Sequence, residues 1–427
     1  MSTLTITELS ARIAENTTKL NSYLSSHNLP GPSFDVDGPQ ELLPPGTPTE
    51  ITRARQSIID DSLELHSLLL GPRELLMAKG YQATSLSSPK AITRFRLAHA
   101  FPPGESTTFA QLASYANLGE THVRKLVRHA IAVHDIFSEP TPGVVVHSAL
   151  SRLLVEDAAL HDWVDYTTSE SWNAAFHFPE AIARFPGSGE PNQTGFSVAN
   201  GTDKSMFAFL SEHPERLGRF AAVMRFFTQR PELGPELVVN AFPWGELPEG
   251  SKVVDVGGSH GLVSIELAKR FPHLRFVVQD LDEPVVRDAD ARKPKEVGDR
   301  VEFMKHDFFT EQPVHGADVY LLRAVLHNWS DKYAVKVLRG LIPALKKGAK
   351  VVVNDVIVPE AGSTPKPAEV RARMSDLVQL VLNNSGDREL AEWVKLFETA
   401  DSRFRYKGAT LMPGSTRLWI LVVEWEG

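Results

Sequence analysis

The feature that most constrains this chain is a glycine-rich turn set between two regular elements. Val253-Val254-Asp255-Val256 has the pattern of a buried strand, Gly257-Gly258-Ser259-His260-Gly261 follows, and an apolar periodic stretch predicts a helix over 262–271. Such a turn lets a ligand approach the backbone closely, and the helix start offers free N–H groups. Spacing narrows the ligand. A dinucleotide fingerprint wants glycine at the first, third and sixth places; counted from Gly257, the third is Ser259 and the sixth is Leu262. No Gly-Lys-Ser/Thr occurs in the turn, so a phosphate-binding P-loop fails too. What remains is an acid followed by small residues at every second place: Asp255, Gly257, Ser259, Gly261.

The surroundings extend the pattern. Strands are expected over 276–278, 301–304, 317–322 and 350–354, a helix over 331–345, and an apolar run rich in β-formers over 418–423. This rhythm predicts a mainly parallel sheet with helices on both faces. Upstream, 160–245 is mostly helical, with aromatic clusters at Trp163, Tyr166, Trp172, Phe176 and Phe178 and again between Phe207 and Phe227. Aromatic stripes at helical spacing are usually core; part of this one is expected to line a flat apolar pocket. Residues 88–150 have the outline of a winged helix-turn-helix, with helices over 89–100, 108–115 and 120–134 and a β piece at 144–147. Arg124, Lys125 and Arg128 on the last helix are the feature a DNA reader would use. Before that lie a short helix, a proline-rich arm over 29–50 and a helix over 51–70 stopping at Gly71-Pro72. The 51–70 helix is apolar on more than one face, which suits burial against a second subunit.

Composition removes other classes. The 427 residues contain 45 Lys and Arg against 53 Asp and Glu, a net charge of -8, so nucleic acid and anionic membrane are poor partners. There is no cysteine, which excludes disulfides, thiolate metal sites and cysteine nucleophiles. No run approaches the roughly 18 apolar residues of a bilayer span, and the N-terminus lacks a signal-peptide pattern. A cytoplasmic protein is expected.

The Asp255–Gly261 turn resembles the S-adenosylmethionine (SAM) loop of class I methyltransferases, with serine for the middle glycine. Asp280 ends the next strand, where an acid accepts from ribose hydroxyls. After the third strand, Asp307 suits an adenine amino group and Phe308 its ring. The fourth strand leads into Leu322-Arg323-Ala324-Val325-Leu326-His327-Asn328-Trp329. With 195–203, 353–359 and 387–393, these segments resemble the plant-type, caffeic-acid-style small-molecule O-methyltransferases in their fungal branch, the sterigmatocystin O-methyltransferase group.

The resemblance implies an α/β fold: a Rossmann-like class I methyltransferase domain preceded by a mainly helical winged-helix dimerisation domain. The expected division is 1–72 for N-terminal helices and linker, 73–200 for the winged helix and 201–427 for the catalytic domain. It further implies SAM as cofactor, a homodimer, and a small aromatic or polyketide acceptor with a phenolic hydroxyl. His327 would be the base, flanked by Asp355 and Asp387, where relatives usually carry glutamate. Gly257, Gly258, Asp280, Asp307, Phe308 and Arg323 would lie against the cofactor; Arg323 and Asn328 stand where the family has lysine and aspartate. The sequence shows no cluster of carboxylates or histidines arguing for catalytic magnesium, so no metal is expected. Two other readings remain: a pericyclase of the same fold that uses bound SAM without consuming it, and a winged-helix DNA-binding regulator.

Overall fold

The computed structural model describes residues 4–228 and 230–427. Contacts divide the chain into two compact units, one ending at Ser169 and the other beginning at Glu170. Residues 170–200 therefore group with the second unit.

In the first unit, helix Ile6–Ser26 starts at a capping box: the Glu8 amide donates to Thr5 Oγ1 at 3.2 Å, and Glu8 Oε2 accepts from the Thr5 amide at 2.7 Å. It packs along helix Thr49–Tyr81, where Arg12 reaches the buried Asp61 through two hydrogen bonds of 3.0 and 2.6 Å. The expected stop at Gly71-Pro72 is a break and not an end. Gly71 leaves helical geometry (φ 69°, ψ 172°), because proline offers no N–H and crowds the preceding turn, and helix then resumes to Tyr81.

The winged helix follows closely. Helices Ser87–Arg94, Phe109–Ala116 and Glu120–His134 surround Ile92, Leu112, Val123, Val127 and Val145, beside a small sheet of Ser106–Thr108, Val144–Val146 and Ser138–Thr141. The helix expected over 89–100 is interrupted, since Arg96 adopts left-handed geometry (φ 50°) and Leu97–Ala100 forms a separate short turn. On the Glu120–His134 helix, Arg128 is forked onto Glu139 at 2.8 and 2.7 Å, and Arg124 lies 3.8 Å from Glu120. The Arg128 guanidinium holds the Glu139 carboxyl down at about 2. These two cations are thus matched to carboxylates of their own unit.

The second unit is built on a sheet whose strands we label β1 Lys252–Val256, β2 Arg275–Asp280, β3 Val301–Lys305, β4 Val319–Arg323, β5 Lys350–Val358, β6 Phe404–Leu411 and β7 Leu418–Trp425. Their order is β3-β2-β1-β4-β5-β7-β6. The first five are parallel; β7 runs antiparallel between β5 and β6. Side chains alternate between two cores: Val319 and Leu321 face one with helix Leu262–Arg270, while Tyr320 and Leu322 face the other with helices Asp331–Leu341 and Leu390–Ala400. Strand order reverses between β1 and β4, which opens a crevice at the carboxyl ends of the strands. Of the aromatic cluster, Phe178, Phe209 and Phe220 pack on Phe196, Met206 and Leu210 as core, while Phe176 is exposed.

Candidate active site

The glycine turn sits at the end of β1. Gly257 has φ 76°, and a Cβ there would meet Val325 at 3.0 Å and Phe308 at 3.7 Å. A Cβ on Gly258 would fall 2.6 Å from Asp255 Cγ and 2.8 Å from Val278. The turn thus needs glycine for two reasons, backbone sign at 257 and close packing at 258. Beneath it Asp255 is fully buried and accepts from the Ser264 hydroxyl at 2.7 Å; burial pushes its carboxyl up to about 6.

Asp280, at the end of β2, accepts the Ser259 amide at 3.0 Å and the Asp282 amide at 3.2 Å. Each of its oxygens keeps a second lone pair for hydroxyl donors. Asp307 spends Oδ1 on the Phe309 amide at 2.9 Å. Phe308 is half-buried against Phe309 and Trp329 and next to Gly257. The structure therefore brings Gly257, Gly258, Asp280 and Phe308 around one cradle, with Asp307 beside Phe308. A cofactor carrying a ribose and a flat base fits this donor set.

Arg323 ends β4. Its Nε donates to Asn354 Oδ1 at 2.9 Å and its Nη2 to the Leu233 carbonyl at 2.5 Å. It braces β4 against β5. Ala324, just beyond it, is left-handed (φ 52°) with its amide on the Asn354 carbonyl at 3.0 Å, and this bend turns the chain toward His327.

His327 lies in a single short turn, Leu326–Asn328. Its Nδ1 stands 3.2 Å from Asp355 Oδ1 and 3.3 Å from Asp387 Oδ1, and its amide donates to Asp355 Oδ2 at 3.3 Å. Asp355 is inside β5, which runs four residues past the expected strand end at 354, and both aspartates are buried. Carboxylates only accept, so Nδ1 carries the ring proton and Nε2 presents a lone pair. Burial, the largest single influence, pulls the imidazole down, but the two carboxylates outweigh it and its pKa is raised. Burial pushes Asp355 up, while for Asp387 the imidazole, Ser375 and Arg417 overcome burial and hold the carboxyl down.

The resemblance implies this grouping of His327 with Asp355 and Asp387, though not as a metal site. Folding gathers ligand-type atoms of His327, Asp355 and Asp387 within 4.8 Å of one another, a spacing compatible with a cation. Three further residues went unnoticed. Arg417 donates to Ser375 Oγ at 2.8 Å beside Asp387, and nothing in the sequence signals that pair. Arg388 anchors the His327 turn; its only signal was adjacency to Asp387.

A 3-2-1-4-5-7-6 sheet with a glycine cradle after β1 and an acid ending β2 defines a class I SAM-dependent methyltransferase. Residues 189–403 match the family described as O-methyltransferase domain. The chain is 41% identical to the grayanic acid biosynthesis cluster O-methyltransferase of Cladonia grayi over 99% of its own length and 88% of that protein. It is 37% identical to a chlorophenol O-methyltransferase of Trichoderma longibrachiatum, covering 98% and 90% of the two chains. Among solved structures, OxaC in complex with sinefungin and meleagrin is similar at TM-score 0.74 and 19% identity, over 97% of this chain and 99% of that one. LepI in complex with SAM is similar at TM-score 0.71 and 21% identity, over 98% and 100%. These two likenesses concern the fold. The chain belongs to the O-methyltransferase family, and its relatives at 34–41% identity are fungal secondary-metabolite O-methyltransferases. It is a SAM-dependent O-methyltransferase.

Proposed function

We propose that the chain methylates a phenolic hydroxyl of a small aromatic or polyketide metabolite, with His327 as general base. The observation that carries this is the orientation of the imidazole: Nδ1 is held by Asp355 and Asp387, which leaves Nε2 to receive a proton. A phenol has a pKa of about 10, so at neutral pH a positioned base raises its nucleophilicity. Bound SAM supplies the electrophilic methyl group. His327 takes the hydroxyl proton on Nε2, Asp387 and Asp355 stabilise the resulting imidazolium, and Gly257, Gly258, Asp280, Asp307 and Phe308 hold the cofactor. Arg323 shapes the crevice floor. The reading is metal-free, with a hydrogen-bonded imidazole where a cation would otherwise sit. Among the described residues no helix is long and apolar enough to cross a membrane, and we place the enzyme in the cytoplasm as a homodimer, its partners being copies of itself and a small acceptor.

The test is incubation with labelled SAM and a panel of phenols. Methylated product and S-adenosylhomocysteine should accumulate together, and a chelator should leave the rate unchanged. His327→Ala should slow methylation by about 10²–10⁴-fold, with calorimetric cofactor affinity unaltered. Rearranged product without S-adenosylhomocysteine would replace this reading with the pericyclase one. A rate that collapses on chelation and returns with magnesium would hand the cluster to a cation.

A further inference from the structure

We infer that Arg388 is a positioning residue that sets the separation between His327 and its two carboxylates. The inference rests on His327 being the base. Arg388 is only 5% exposed. Its Nη1 donates to the Leu326 carbonyl at 3.0 Å and its Nη2 to the Trp329 carbonyl at 2.7 Å, one residue before and two after the histidine. Its Nε donates to Asp331 Oδ1 at 2.8 Å.

The backbone of the same residue pairs in parallel with Ile357, two positions beyond Asp355. The preceding residue is Asp387. The Arg388 guanidinium lies over the Trp393 ring, 5.1 Å from the centroid, and Trp393 Nε1 donates to the Val356 carbonyl at 3.1 Å, next to Asp355. Arg388 is therefore joined to each chain segment that supplies a member of the cluster.

The chemistry requires arginine here. The Leu326 carbonyl already accepts the Trp329 amide at 3.2 Å and the Trp329 carbonyl lies just past the turn, and a planar fork ties the two together at fixed spacing. Lysine would offer a point charge on a flexible stem. The Asp331 pair does not account for burying the guanidinium, because Asp331 is largely exposed and such pairs contribute little. A polar cavity of about 320 Å³, lined among others by Asp331, Asn384, Asp387 and Arg388, adjoins the fork and leaves a small cation room to enter.

The experiment uses the full chain with SAM and its best phenol, comparing Arg388→Ala, Arg388→Lys and His327→Ala. Arg388→Ala should bind SAM within about twofold of wild type and keep KM for the phenol within a few fold, while kcat falls about 10- to 100-fold. Its acid limb in kcat/KM should move to lower pH as the carboxylates withdraw from Nδ1. Added guanidinium should restore several-fold activity to Arg388→Ala and none to His327→Ala, and Arg388→Lys should remain below the rescued rate. If Arg388→Ala binds cofactor and retains kcat, or loses kcat with an unmoved acid limb and no rescue, the positioning role is wrong. Should Arg388→Ala fail to bind SAM, Arg388→Lys decides: wild-type kcat in that variant also overturns the inference, and a low kcat with a lowered acid limb supports it. Undiminished activity in His327→Ala would instead remove the base reading beneath it.

Discussion

At the scale of single residues the site is an electrostatic compromise. His327 is partly buried, which disfavours its cation, yet two carboxylates restore and exceed what burial removes. The base must be neutral to act, so the acid limb of kcat/KM should lie above the ordinary histidine value. Asp387→Asn removes one charge and leaves Nδ1 a weaker, neutral amide acceptor. The imidazole pKa then falls, the acid limb moves to lower pH, and the plateau rate drops because the ring is less firmly held; a pH–rate profile of both enzymes checks this. The linkage sign follows. A raised folded-state pKa means that the protonated imidazole stabilises the native state; that contribution is complete below about 6.5 and is lost as pH rises through the folded value. His327, Asp355 and Asp387 were legible in the sequence through motif resemblance, since each adjoins a distinctive run. Arg388 was not. A charged residue next to an acid is ordinarily a surface pair, and only the pairing with β5 turns its side chain inward. For Arg323 a cation near a cofactor loop suggests a ligand contact, and in the fold its Nε and Nη2 also brace Asn354 and the Leu233 carbonyl.

At the scale of elements the glycine turn was legible because it combines backbone sign, close packing and position after a buried strand. Its two central glycines differ from an ordinary one, and substitution separates them. Gly258→Ala puts a methyl group 2.6 Å from Asp255 Cγ and 2.8 Å from Val278. Overpacking of this kind costs about 1–3 kcal/mol and should lower Tm by about 3–10 °C, together with at least tenfold weaker SAM binding by calorimetry. Gly245→Ala is the control: its methyl meets Phe271 at an ordinary 3.5 Å and should be near neutral in both measurements. The strand edges were less legible. β5 continues to Val358 because Asn354 and Asp355, polar letters that suggest a strand end, are buried and hydrogen-bonded within it. β6 carries Gly408 and a register shift at the β7 pairing, which masks the alternation that would have announced it.

At the scale of the whole molecule, the boundary between the two units lies inside a helical stretch with no proline or glycine signal, so composition could not find it. The N-terminal helices pose the other question of this scale. Within Thr49–Tyr81 only Ala54 and Asp61 are buried, whereas Leu63, Leu69, Leu76 and Tyr81 are 58%, 66%, 75% and 78% exposed. An apolar surface of that extent on a helix is expected to be covered by another chain. Light scattering at micromolar concentration should give a dimer mass for the full chain, and removal of residues 1–81 should give a monomer. A monomer mass for the full chain would reject this interface, and a dimer surviving the deletion would move it to other elements.

The place of β7 has a consequence for how the protein is made. It is the last of the sheet's strands in chain order, yet it is inserted between β5 and β6. On the ribosome, the parallel half of the sheet emerges first with β5 as its margin, and Val351, Val352 and Val353 then border an open row of backbone donors and acceptors. Such a margin recruits any strand it meets. Until the 404–425 hairpin is translated and inserts, a nascent chain with every cofactor residue already synthesised is also one with a sticky flank. A premature stop in that interval would yield an aggregating protein rather than a merely inactive one, and recombinant yield should depend on chaperone supply more than on the stability of the finished fold.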